Sequence, residues 1–260
     1  MDSYTLVIAV DRRHLQQLAV TWPTWVRHKP EFDRVPLLVI YDHQQVAPHE
    51  IAEIVKRDAV YIPWPPARTE YPQGSSKWDD HQRYKMLASF IHIPGRCVET
   101  KYWLKLDVDT VATGHPHWID DSWFDDRPAI VAQAWHYTKP ADQMLRLDQW
   151  VTEHADKLPA WAGRPPLNLV PKEGSSLVKH KRIISWCGFF ETGFTLLCSI
   201  AAEQTCGYGH LPVPSQDGFM FYCATRLGLP VRRIDAKSLG FEHWTTFENI
   251  SKATHRALHV

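Results

Sequence analysis

The chain has 260 residues, enough for one large α/β domain with an ample core or for a domain plus a small lobe. Its 29 basic and 29 acidic residues cancel, which argues against general attraction to nucleic acid and against a polybasic membrane anchor; any anion it binds is bound locally. Five cysteines (Cys97, Cys187, Cys198, Cys206, Cys223) are scattered, odd in number and without Cys-x-x-Cys, so they fit reduced thiols better than a disulfide framework or a zinc site. No basic leader precedes the apolar run that ends by Val10, and no apolar run approaches the length of a bilayer span. These features predict a cytoplasmic protein with no transmembrane segment and no nucleic-acid partner.

The amino-terminal part alternates strand and helix signals. Thr5 to Val10 reads as strand, His14 to Arg27 as helix, Val35 to Tyr41 as strand, Pro48 to Arg57 as helix and Ala59 to Ile62 as strand, the rhythm of a parallel sheet. After a Pro-rich loop from Pro63 to Gly74, an amphipathic helix is expected from Trp78 to His92, with Met86, Leu87, Phe90 and Ile91 as its apolar stripe and Pro94-Gly95 as its stop. Arg83 lies three and four residues before Met86 and Leu87, on the face of that stripe. A cation there needs an anion, either the phosphates of a ligand or a structural carboxylate, and Lys85 is the fallback for the same contact.

The short run Tyr102 to Leu106 reads as a buried strand, and it runs into Asp107-Val108-Asp109-Thr110. Asp-x-Asp alone is a common turn pattern. Two carboxylates where a strand leaves an open α/β sheet, however, face the ligand crevice, where their oxygens can hold Mg²⁺ or Mn²⁺ together with a substrate's phosphates. Further strands are expected at Ala129 to Ala134, Ile183 to Phe190, Val231 to Ile234 and near Arg256 to Val260, and further helices at Ala141 to Ala155, near Thr195 to Ala202 and from Gln216 to Leu227. Prolines and glycines interrupt any period from Lys157 to Lys181, which reads as an acceptor-side lid.

Asp217 heads a helix, on the face of Met220, Phe221 and Ala224, with Ser215 as a normal N-cap. A carboxylate there can act as a general base, with Gln216 beside it, and Glu191 is the alternative acid. Twelve tryptophans are an unusual number: Trp64, Trp135, Trp161 and Trp244 are candidates to stack on sugar faces, as is Trp186.

The order of these features resembles the GT-A glycosyltransferases, nucleotide-sugar enzymes on a Rossmann-like sheet, with family 8 the nearest likeness. The matching pieces are the strand ending in Val10-Asp11, the helix with Arg83-Tyr84-Lys85, the stretch Trp103 to Thr110 and Ser215-Gln216-Asp217. Where family 8 usually has Asn-x-Gly and Asp-Gln-Asp, this chain has Glu191-Thr192-Gly193 and Ser215-Gln216-Asp217.

The resemblance implies one α/β domain, a mostly parallel central sheet flanked by helices, with a nucleotide-sugar-binding half (1–113) and an acceptor-side half (114–260). It implies a donor site built from Val10, Asp11, Arg83, Lys85, Asp107, Val108 and Asp109, and a Mn²⁺ or Mg²⁺ ion on Asp107 and Asp109. In similar enzymes a carboxy-terminal His adds a third ligand, so His259 is the first choice and His243 the second. It also implies a nucleotide-sugar donor, a UDP-sugar favoured, and a carbohydrate or other hydroxyl acceptor. A nucleotidyltransferase would more often carry a Gly-rich phosphate loop, and Val10-Asp11-Arg12-Arg13 is not one. A non-catalytic Trp-rich carbohydrate-binding protein would more often be all-β.

Overall fold

The structure, a computed structural model, describes residues 4–64, 85–114, 119–140, 177–206, 216–227, 229–234 and 239–259. The expected opening rhythm is present: β1 (Tyr4–Val10), α1 (Arg12–His28), β2 (Leu37–Tyr41), α2 (Pro48–Val55) and β3 (Val60–Pro63). Asp11 starts α1 by accepting the His14 N–H on Oδ1 at 2.9 Å, and Pro48 sits at the first position of α2, where its missing N–H costs nothing. After a helical stretch at 85–97, whose middle, Ala88–His92, widens into a π-turn before α3 (Ile93–Cys97), come β4 (Tyr102–Leu106) and β5 (Thr110–Ala112). The remaining elements are β6 (Ile130–Pro140), β7 (Leu177–Glu191), α4 (Thr192–Cys206), α5 (Gln216–Arg226), β8 (Val231–Ile234), β9 (Phe241–His243) and α6 (Phe247–His259). Among the described residues no helix is long and apolar enough to cross a membrane.

Seven strands form one sheet in the order β3-β2-β1-β4-β7-β6-β8. β1 pairs in parallel with β2 and β4, β2 with β3 and β6 with β8, while β7 runs antiparallel to both its neighbours, β4 and β6. The sheet is therefore mostly parallel, as expected. From β1 the chain steps outward to β2 and β3 and then returns to place β4 on the other side of β1. The carboxyl ends of β1 and β4 thus flank the point where the strand order reverses, the place where open α/β sheets bind ligands.

Alternate residues of each strand feed two cores. Leu6, Ile8, Leu37, Val39, Tyr102, Leu104 and Phe189 face one side with Leu18, Trp22 and Trp25 of α1. Val7, Leu38, Ile40, Trp103 and Phe190 face the other with residues of α3, α4 and α5. Both faces being covered explains why the central strands read as continuous apolar runs.

Several sequence expectations are corrected. Pro94-Gly95 does not stop the helix, which continues to Cys97. The reason is packing: a Cβ on Gly95 would lie 2.9 Å from Leu196 N and 3.0 Å from Leu196 Cα, so glycine lets the backbones of α3 and α4 approach. Gly95→Ala should accordingly cost about 1–3 kcal/mol, read from the denaturant midpoint, because rigid backbone must move. β6 runs on to Pro140 and β7 begins at Leu177, so residues 177–181 of the expected lid are sheet; the rest of that segment and the helix expected at Ala141 to Ala155 lie outside the described residues. Where a strand is expected near Arg256 to Val260, residues 256–259 are instead the last turn of α6, whose Ile250, Ala253 and Thr254 are buried; Val260 lies outside the described residues. The carboxyl end of α1 holds α6: Arg27 Nη1 donates to Leu258 O at 2.6 Å, and His28 Nε2 lies 2.8 Å from Ala257 O.

His92, buried at the π-turn with Nδ1 2.8 Å from Ser199 Oγ, has its pKa pushed down to about 4 by burial. The unfolded chain, with His near 6.5, then binds a proton that the folded chain does not, so stability rises with pH between the two values. Stability should be flat in this respect above pH 6.5 and fall by up to about 3 kcal/mol as pH drops from 6.5 toward 4. Urea midpoints measured across that window should lose most of this slope in His92→Gln.

Candidate metal and donor site

β4 hands the chain to the crevice at Leu106. Asp107 N–H donates to Trp186 O of β7 at 2.8 Å, the last link to the sheet. The turn that follows is held through its carbonyls: Asp107 O accepts Thr110 N–H (3.1 Å) and Thr110 Oγ1 (2.7 Å), Val108 O accepts Thr21 Oγ1 (2.8 Å), and Asp109 O accepts Trp244 N–H (3.2 Å). Backbone oxygens thus make the turn, and the carboxylates of Asp107 and Asp109 remain for other work. α1 steadies β5 from below, with Trp25 Nε1 donating to Thr110 O at 2.8 Å and Thr24 Oγ1 accepting Ala112 N–H at 3.0 Å.

β5 pairs antiparallel with β9, setting Thr110 opposite His243. This register brings His243 Nε2 to 3.4 Å from Asp109 Oδ1. One ligand atom each from Asp107, Asp109 and His243 lie within 4.8 Å of one another, on half-buried side chains. The structure therefore brings His243, the second choice of the sequence reading, against the acid pair. His259 stands exposed at the end of α6 with its ring centroid 4.3 Å from that of His255. The reason is the corrected element: a helix packed on α1 and β5, not a strand, carries His259.

Lys105 was not singled out by the sequence reading, although one lysine inside a strand otherwise made of Tyr, Trp and Leu was a signal. It alternates with Trp103, is buried, and places Nζ 2.5 Å from Asp107 Oδ1 and 4.1 Å from the centroid of the Phe90 ring. Burial pushes the Asp107 carboxyl above the usual range, the Lys105 ammonium opposes that shift, and the charge of Asp109 adds to it. The neighbouring Asp109 carboxylate raises His243 in turn, against partial burial. Asp109 Oδ1 is itself buried and has no hydrogen-bond partner among the described residues, since the approach of His243 falls short of hydrogen-bond geometry.

A divalent ion fits these residues. Two carboxylates and an imidazole, mutually close, with one buried carboxylate oxygen unsatisfied, form a donor set for a hard to borderline cation such as Mn²⁺ or Mg²⁺.

The other expected residues separate by sheet end. The β1–β4 pairing (Tyr4 with Tyr102 through Val7 with Lys105) carries Val10 and Asp11 to the Asp107 end; Val10 is buried, and Asp11 is occupied as the N-cap of α1. At the ends of β2 and β3, Lys85 Nζ pairs with Asp42 Oδ2 at 2.8 Å and lies 4.4 Å from the centroid of the Trp64 ring. Trp64 is itself buried and donates to Ser89 Oγ at 2.5 Å, so it is core rather than a free stacking face.

Gln216 and Asp217 are buried in the first turn of α5, and Gln216 Oε1 has no hydrogen-bond partner among the described residues. Glu191 is paired with Tyr102, at the opposite end of β4 from Asp107, and its Oε2 accepts Phe194 N–H at 2.5 Å. That placement makes it a cap for α4, at the opposite end of the strand from Asp107. Arg83, Ser215 and Trp161 lie outside the described residues, as does the side chain of Trp135.

No protein-family model matches the sequence, and no curated protein matches it. Among solved structures, the chain superposes on core-mannan synthase A (CmsA/Ktr4) from Aspergillus fumigatus, in its Mn/GDP form, with a TM-score of 0.57 and 11% identity, over 94% of this chain and 75% of that one. It superposes equally on the mannosyltransferase Ktr4p from S. cerevisiae in complex with GDP, with a TM-score of 0.56 and 11% identity, over 93% of this chain and 71% of that one. The chain has the GT-A fold. At this identity the likeness is one of architecture. Asp107, Asp109 and His243 meet beside the switch point of the sheet, while Glu191 lies at the opposite end of β4 and β7.

Proposed function

We propose that this protein is a metal-dependent glycosyltransferase that moves a sugar from a nucleoside-diphosphate sugar to a hydroxyl of a carbohydrate or other acceptor. The observation that carries this reading is the convergence of Asp107, Asp109 and His243 at the switch point of a GT-A sheet. A divalent ion held there supplies a Lewis acid for the charge that grows on the departing diphosphate.

The chain's own groups do the rest. Lys105 fixes one oxygen of Asp107, keeping that carboxylate oriented. Val10 and Asp11 border the crevice on the β1 side, where the nucleoside would lie, and Lys85 and Arg83 are the cations assigned to the donor. α5 ends shortly before β8, which runs parallel to β6, so its first turn is directed toward the same sheet end as Asp107. In this reading Asp217 takes the acceptor proton if the reaction inverts, and Asp217 or Gln216 supports the developing cation if it retains. The narrower likeness to family 8 rests on the order of these motifs. The sequence reading favours a UDP-sugar, while the two neighbours above are bound to GDP, so both nucleotides belong in the test.

The test is a thermal-shift panel of UDP-, GDP- and CDP-sugars, each with and without Mn²⁺. Near a hundredfold excess over Kd, the matching donor should raise Tm by about 5–10 °C, and only with metal. No shift with any donor, or an equal shift without metal, would overturn the assignment.

A further inference from the structure

We propose that Trp186 is a positioning residue for the Asp107–Asp109–His243 group; this rests on reading that group as a divalent-metal site. Trp186 touches two of the three side chains' owners in different ways. Its backbone carbonyl accepts Asp107 N–H at 2.8 Å, which sets where the chain leaves the sheet. Its ring lies against the imidazole of His243, with centroids 5.7 Å apart and planes inclined by 15°.

The need for such a contact follows from the topology. Asp107 follows the large sheet directly, whereas His243 belongs to the separate two-stranded sheet, on a three-residue strand. A histidine there is located by few backbone bonds, and its ring can still turn between rotamers. Metal ligation requires one ring nitrogen to be aimed at the ion, and the surroundings of a ligating histidine set that orientation. Trp186, half-buried and packed among the side chains of the α1-side core, presents a fixed face from β7. Stacking on it leaves His243 free to slide little and to tilt less, with Nε2 directed at Asp109. Trp186 thereby couples the large sheet to the small one at the point where their ligands meet. The sequence reading offered this tryptophan as a platform for sugar, but at least one part of its ring surface is taken by the histidine.

Two measurements on the whole chain, neither requiring turnover, test this. Mn²⁺ uptake is followed by loss of the free-ion electron paramagnetic resonance signal, and the His243 ring protons by NMR of histidine-labelled protein, assigned by their absence in His243→Asn. In the wild type the ring current of Trp186 shifts the His243 resonances away from ordinary histidine positions. Trp186→Leu should return them toward those positions and weaken Mn²⁺ binding about tenfold, the scale of an outer-layer loss. Trp186→Phe should restore the shift in part and bring Mn²⁺ affinity back to within about twofold of the wild type. In the His243→Asn background, Trp186→Leu should add nothing, which a general loss of stability would not reproduce.

Mn²⁺ binding by Trp186→Leu as tight as the wild type's, or an equal loss with and without His243, overturns the proposal while leaving the metal site standing. A wild type that takes up no Mn²⁺, or a His243→Asn variant that binds it as well as the wild type, overturns the metal reading itself and this role with it.

Discussion

Asp109→Asn is expected to reduce glycosyl transfer by about a thousandfold or more while leaving the fold as stable as before. The loss corresponds to about 4 kcal/mol of transition-state stabilisation, the scale on which a bound ion acts on a departing diphosphate. Stability should hold because Asp109 Oδ1 accepts no hydrogen bond among the described residues and the charge of Asp109 works against that of Asp107, so the folded chain gives up little when it is removed. Asp107→Asn should lose activity to the same degree, again with little change in the urea midpoint, because burial already disfavours the Asp107 charge and offsets the loss of its ion pair with Lys105. The two substitutions thus agree in turnover and leave the fold standing. Near-normal turnover in either, at saturating Mn²⁺ and donor, would remove the acid pair from the reaction.

The second large effect is on folding. Trp103→Ala should destabilise the chain by about 3–5 kcal/mol, a large share of the stability of an ordinary domain. Trp103 is fully buried on the α3–α4–α5 side of the sheet. Its ring stacks on Phe190 with centroids 4.8 Å apart, and its Nε1 donates to Thr195 Oγ1 at 3.0 Å, tying β4 to β7 and to α4. Truncation opens a cavity and strips a buried hydroxyl of one partner, and neither loss can be recovered by collapse between two covered faces. Trp103→Phe should cost markedly less. Equilibrium urea unfolding at pH 7.5 measures both, and a loss below about 1 kcal/mol for the alanine variant would mean that the core re-packs.

Local chemistry in the sequence determined a good part of this protein. The β1 to β3 rhythm follows from apolar runs of strand length separated by amphipathic helices, and Asp11 and Pro48 mark the helix starts because capping is decided within a few residues. The Asp-x-Asp placement was legible for the same reason: a buried strand must end, and polar residues mark the end. The GT-A architecture was legible as an order of elements. The amphipathic period of α6 is also present, in Ile250, Ala253 and Ala257, but the stretch from Arg256 onward is too short to show it.

Other features were decided only in three dimensions. Nothing near His243 in the chain distinguishes it from the fourteen other histidines; the ladder between β5 and β9, two strands of three residues each, selects it. The reversal of β7 gives Asp107 its tether at Trp186 and sends Glu191 to the opposite end of the strands, and no period within Leu177–Glu191 encodes which neighbour it joins or in which direction. The same holds for Gly95, whose necessity appears only when α4 lies against it. Helix and strand are settled by contacts a few residues apart, whereas a site that gathers ligands from positions 107, 109 and 243 depends on pairings whose free energy is collected only once the whole sheet has closed.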